Sequence, residues 1–394
     1  MQLVTQKLRQ HSLVSAIYLA TLLLSFHYVF VVYVNSNFLE QFFTEGALGL
    51  LYTAGSVINI IVFLFISQIL EKVRNYRMML YLTVLECAIL LGLAAFTNPY
   101  LIMVLFVLHH AINPLILFGL DIFLERLSDN THTGGIRGTF MTIANATFVL
   151  SPLLVGLILG EGENFSIIYL LSALFLVPFF AIIYRNFRNL PHKSYKKIEV
   201  RATLGAFWKN KKLWNVYMVA FILQFFYTWM TIYMPLYLHD SIGFNWKEIG
   251  IIFSVMLLPF VIFEIPLGKL ADKTYGEKEI MTYGIVVMAL GTICLSFITS
   301  NNIALWALLL FVTRIGASAI EITTESYFFK RVNADDTNLI GFFRNSRPIS
   351  YIIAPVVAGL ALILIDNQNQ YLFFVLGIIT LLGLRYSLTL EDTR

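Results

Sequence analysis

Residues 151–157 read Ser151-Pro152-Leu153-Leu154-Val155-Gly156-Leu157, and residues 354–360 read Ala354-Pro355-Val356-Val357-Ala358-Gly359-Leu360. Each run is preceded by a shorter match, Gly138-Thr139-Phe140 and Gly341-Phe342-Phe343, and every pair lies 203 residues apart. A second set repeats at nearly that offset: Asp121 with Glu325 and Arg126 with Lys330, each 204 apart. Two separate matches at one spacing point to a duplicated half rather than to chance.

What is duplicated follows from the composition around these runs. Hydrophobic residues are 58% of the 394 and charged residues 13%, about half the charged share of a soluble domain. Such a chain cannot cover its own core with polar surface, so lipid is its solvent. Apolar segments long enough to span a bilayer are predicted at 12–36, 46–70, 77–97, 100–126, 138–160, 165–185, 213–238, 247–270, 279–299, 302–329, 339–365 and 370–389. All twelve read as helices, because lipid forbids open strands with unpaired backbone. The first, beginning at Ser12, is too long for a signal-peptide core and reads as a retained span. The expected fold is an all-α membrane protein of twelve transmembrane helices in two pseudo-symmetric six-helix bundles. The bundles are residues 1–185 and 213–394, joined by a basic linker over 186–212. Within the linker, Val200 to Trp208 reads either as an interfacial amphipathic helix or as solvated chain beside anionic lipid.

Basic residues set the orientation. With the N-terminus in the cytoplasm, 25 of the 27 Lys and Arg fall on the inner side. Lys247 falls outside and Arg314 falls mid-membrane. The expectation is a multi-pass inner (plasma) membrane protein with both termini cytoplasmic. Cys87 and Cys294 lie in apolar segments and read as inert packing residues. No metal-ligand spacing is present, and no metal or cofactor is expected. No Gly-x-x-x-x-Gly-Lys-Ser/Thr loop occurs, so nucleotide energy is not expected.

The loop after the eighth span reads Gly268-Lys269-Leu270-Ala271-Asp272-Lys273-Thr274-Tyr275-Gly276-Glu277-Lys278. It resembles the Gly-x-Leu-Ala-Asp-Arg-x-Gly-Arg-Lys loop of the major facilitator superfamily, with one extra residue before the second glycine. The first-half loop, Ser67-Gln68-Ile69-Leu70-Glu71-Lys72-Val73-Arg74, keeps acid then base but loses the glycine. The resemblance implies a cytoplasmic latch at Gly268, Asp272 and Lys273. It also implies that spans one, four, seven and ten line a cavity. The span-five proline is kept without the glycine doublet of the drug antiporters.

Ionisable groups within spans are costly and mark functional candidates. Span ten carries Arg314, Glu321 and Glu325, whose spacings of seven and four put them on one stripe. His110 precedes Arg314 by 204 residues, so the repeat sets polar groups at matching depths. Arg314 is expected to bind an anionic group of the substrate or to pair with Glu321, and Glu321 to carry a coupling proton. His109 and His110, Asn113 and, in span one, His27 are further candidates, since histidine titrates near neutrality. Gln224, Tyr227 and Trp229 of span seven suit a cavity for an amphipathic molecule or a sugar. Asp121 with Arg126, Glu325 with Lys330, and Arg344 with Arg347 read as inner-gate groups. Glu86 and Glu264 are isolated acids, Glu86 with no partner visible in sequence.

The reading that follows is a secondary transporter, not an enzyme. It moves a small organic solute by alternating access, coupled to protons, with export of amphipathic compounds preferred to nutrient uptake. A facilitative sugar or organic-anion uniporter is the alternative, and an intramembrane lipid or glycan transferase the alternative of another class. The partners expected are the substrate, protons and membrane lipid, with the chain a monomer and no nucleic acid involved.

Overall fold

In the computed structural model the chain is almost wholly helical. The structure describes residues 2–127, 133–188, 190, 205, 207–332, 337–366 and 368–391. Among them, eleven helices are long and apolar enough to cross a membrane, and a shorter apolar stretch, Tyr371–Ser387, follows. The fold is all-α, and twelve spans fit this order. Span one is Gln2–Val32, followed by a short helix Asn35–Glu40; span two is Glu45–Leu64, continued by Ile66–Val73. Spans three to six are Asn75–Ala95, Pro99–Leu127, Thr133–Leu159 and Phe165–Asn186. Span seven is Lys211–Leu236, with a π-helical turn over Tyr237–Ser241. Span eight is Trp246–Ile262 and Glu264–Leu270, span nine Glu277–Leu295, and span ten Ile303–Phe329. Span eleven is Thr337–Arg344 and Ser346–Leu364; span twelve is Tyr371–Leu381 and Gly383–Ser387.

Asparagine side chains start several of these helices. Asn210 accepts from the backbone of Lys212 and Leu213, and Asn302 from Leu305. Asn245 and Glu248 form a reciprocal capping box at span eight. Each satisfies first-turn N–H groups that lipid or headgroups would leave bare. Large apolar side chains such as Tyr81, Leu174, Phe297 and Leu364 stay exposed, as lipid-facing residues do.

Hydropathy predicts spans two, eight, eleven and twelve as unbroken helices. The structure breaks them at Phe65, Phe263, Asn345 and Leu382, and proline accounts for the second and third. A proline lacks the N–H for the i−4 carbonyl and its ring crowds that carbonyl. Pro266 removes the bond to Ile262 and Pro348 the bond to Arg344, the last residues of the first segments. Each proline then sits in the first turn of the next segment, where no N–H is required.

By its contacts the chain forms two compact units, Met1–Phe43 with Ala54–Lys197, and Thr44–Thr53 with Ile198–Arg394. In the first, span three packs against spans four and six, and span one against spans five and six. In the second, span nine packs on spans ten and twelve, and span seven on spans ten and eleven. Most of Val200–Trp208 lies outside the described residues. Phe207 is fully buried against Tyr217 and Phe342, while Trp208 is exposed and meets Trp214.

The two signature-like loops share a backbone conformation. Gly276, just before span nine, has φ 92°, and Arg74, just before span three, has φ 63°. With ψ at 159° and 143°, both lie in territory that only glycine occupies cheaply. The first-half loop thus keeps the glycine shape without the glycine. Arg74→Gly is expected to raise stability by roughly 1 kcal/mol, read as a higher melting temperature in detergent. A lower one would show that the Arg74 side chain outweighs the strain.

Candidate functional site

Spans seven and ten bring the second unit's membrane-depth charges together. Arg314 is almost fully buried, its guanidinium carbon 4.8 Å from the Phe226 ring centre and 5.8 Å from that of Tyr227. Such placement lets aromatic faces offset part of the cost of a desolvated cation. Glu321, half-buried, accepts the Tyr227 hydroxyl at 2.7 Å. Arg314 and Glu321 are two turns apart, roughly 10 Å along the axis. Tyr227 touches both, its ring toward the cation and its hydroxyl on the acid.

The other span-seven candidates divide between two faces. Gln224 is half-buried on the same stripe as Tyr227. Trp229 is fully buried between Phe225 and Tyr233, its indole N–H without a hydrogen-bond partner. Trp229 lies in the unit's interior, with Thr228 next to it bonded to Ser350 at 2.7 Å.

Below this level lie the gate candidates. Arg344 donates to both carboxylate oxygens of Glu325, the second bond at 3.1 Å, a fork geometry particular to arginine. Lys330 pairs with Glu277, a buried acid that also accepts the Ser326 hydroxyl at 3.0 Å. The sequence reading passed over Glu277, although it belongs to the signature-like loop. Gly268 faces Ile322 of span ten, 3.2 Å from where a Cβ would stand. Asp121 and Arg347 are exposed. The side chains of Arg126, Asp272 and Lys273 lie outside the described residues.

The first unit holds a separate polar cluster. His27 Nδ1 meets Ser172 Oγ at 2.9 Å, and Nε2 meets Asn113 Oδ1 at 3.0 Å. Asn113 Nδ2 donates to Glu86 Oε1 at 3.3 Å, and His109 Nδ1 meets the same oxygen at 2.5 Å. His110, one residue along, points elsewhere, to Ser56 Oγ at 3.0 Å, with its ring stacked on Phe106. Among the described residues, no group of three His, Cys, Asp or Glu is arranged to hold a metal.

The sequence profile described as Major Facilitator Superfamily matches residues 12–258 and 243–393. The chain belongs to the Major Facilitator Superfamily. None of the curated proteins matches it in sequence. Solved structures show the superfamily fold at low identity. The D-xylose-proton symporter has a TM-score of 0.76 at 14% identity, over 98% of this chain and 98% of that one. An auto-inhibited POT family peptide transporter has a TM-score of 0.77 at 12% identity, over 97% and 98%. The nucleoside transporter NupG has a TM-score of 0.74 at 12% identity, over 96% and 100%. This superfamily member is therefore a multi-pass membrane transporter and not an enzyme. Its polar groups in mid-span are to be read as parts of a transport machine.

Proposed function

We propose that the chain is a proton-coupled secondary transporter of a small organic solute that carries an anionic group. The observation behind this is the Arg314–Tyr227–Glu321 arrangement. A fixed cation at membrane depth is matched to an anion, and a carboxyl half-removed from water is suited to taking and giving a proton. Because Tyr227 touches both, occupancy at Arg314 is passed to Glu321 through one ring. The duplicated halves supply alternating access about the midplane. The charge asymmetry favours an inner-membrane placement with cytoplasmic termini, and the chain acts as a monomer.

The test pairs two assays in reconstituted vesicles, using a solute selected by thermal-shift screening. Glu321→Gln is expected to keep solute counterflow and to lose solute-linked proton movement. If both survive intact, Glu321 is not the coupling group. If the wild type exchanges solute without moving protons, the chain is a uniporter.

A further inference from the structure

The first-unit cluster gathers five side chains from four helices. Glu86 of span three, His109 and Asn113 of span four, His27 of span one and Ser172 of span six are all at least 97% buried. Both ion-pair partners of Glu86 are histidines, His109 at 2.5 Å and His27 at 3.7 Å. Its second oxygen, Oε2, is buried with no hydrogen-bond partner among the described residues. Spans four and six and the segment Ile66–Val73 pack on span three. That segment's Glu71 and Lys72 are exposed, span six offers Ser172, and Cys87 follows Glu86 half-buried on the same helix. Span five, which packs on span one, has no titratable side chain over residues 139–159.

Counting hydrogens shows what this cluster can do. With Asn113 Oδ1 toward His27, and Nδ2 toward Glu86 and, at 3.2 Å, His109 Nδ1, the hydrogen of the His27 contact sits on Nε2. The Ser172 hydroxyl donates to the His27 carbonyl at 2.8 Å. With its one hydrogen so used, Ser172 Oγ accepts from His27 Nδ1. In this arrangement both ring nitrogens carry hydrogens, and His27 is an imidazolium balancing the Glu86 carboxylate. Removing one proton leaves a second arrangement in which every bond but one persists. The Ser172 hydroxyl rotates from the carbonyl to donate to Nδ1, and His27 is neutral. The two states differ by one proton, taken from or returned to water, and by one hydroxyl rotation.

Their charges differ in a way that matters in lipid. The loaded cluster is neutral overall; the unloaded one leaves a net negative charge among buried groups, which membrane interiors penalise. We infer that Glu86, His109, Asn113, His27 and Ser172 form a proton-binding site of the first unit that loads and unloads one proton as a unit. It is distinct from Glu321, and its existence does not rest on the coupling role given to that residue. The proton belongs to the cluster rather than to one side chain.

The test needs no substrate. Purified full-length protein in detergent is titrated between about pH 9 and pH 5, where such groups exchange protons, and bound protons are counted with an indicator dye. Glu86→Gln is expected to take up one proton fewer than the wild type, and the same difference should persist in a Glu321→Gln background. A Glu86→Gln titration superimposed on the wild type would overturn the site. Should Glu86→Gln not yield folded protein, Ser172→Ala decides. Ser172→Ala removes a charge-assisted bond from the loaded state and only a neutral one from the unloaded state, so that proton should bind with a midpoint at lower pH. An unchanged midpoint would overturn the proposal.

Discussion

Arg314→Ala is expected to weaken solute binding roughly 10- to 100-fold, because a hydrogen bond to a charged group contributes about 1.5–3 kcal/mol. Arg314 is almost wholly removed from solvent and is held over Phe226 and Tyr227. Those ring contacts help to hold a desolvated cation in place. Lost affinity in a protein that still folds is the expected pattern. A residue kept for stability would show the reverse, a lower melting temperature with affinity spared. Arg314→Lys should fall between, keeping the charge but losing the planar contact with Phe226 and the two-pronged grip on a carboxylate or phosphate. Binding of the selected solute and a substrate-free melt, measured on the same preparations, separate these outcomes. Unchanged affinity in folded Arg314→Ala would remove the anionic group from the proposal.

How much of this was legible in the sequence depends on whether a feature lies within one helix or between several. The stripe of Arg314, Glu321 and Glu325 is a within-helix property, and helical spacing alone puts the three on one side. The span-eight and span-eleven breaks are also within-helix properties. Pro266 and Pro348 announce them through the missing i−4 bond, although hydropathy runs smoothly across both. Glu86 is different. Its partners come from spans one and four, 59 and 23 residues away in sequence, and no periodicity says which spans face each other. The neighbouring histidines show the same limit. His109 and His110 are equivalent by hydropathy, yet about 100° of helical rotation sends one to Glu86 and the other to Ser56. Trp229 shows the same limit. An aromatic with a polar handle suits a cavity, but the indole faces the packed interior and its N–H finds no partner there.

The glycines of spans nine and ten carry the second large effect. A Cβ on Gly316 would stand 2.5 Å from the Gly284 carbonyl oxygen and 2.6 Å from the Met288 nitrogen. A Cβ on Gly284 would stand 2.8 Å from the Gly316 carbonyl oxygen. The obstacles are backbone atoms, so no rotamer change clears them; the helices themselves must part. In lipid that is expensive, because helix association there depends on close van der Waals packing rather than on expulsion of water. Overpacking a core costs about 1–3 kcal/mol, and here a whole helix pair is affected. Gly316→Val is therefore expected to lower the melting temperature sharply or to abolish recovery of monodisperse protein, with Gly316→Ala milder in the same direction. Gly359 of span eleven is the control, since a Cβ there meets nothing within 4 Å. Gly359→Ala should be neutral or stabilising by up to about 1 kcal/mol, from helix propensity alone. Equal melting of Gly316→Val and wild type would mean that the two spans are not held by this contact. If it does hold them, the consequence reaches the site. Gly316 is two residues from Arg314 on the same helix, so the glycine contact also fixes the cation's position over Phe226 and Tyr227. Surviving Gly316→Ala protein should then bind solute more weakly than its melting temperature alone predicts.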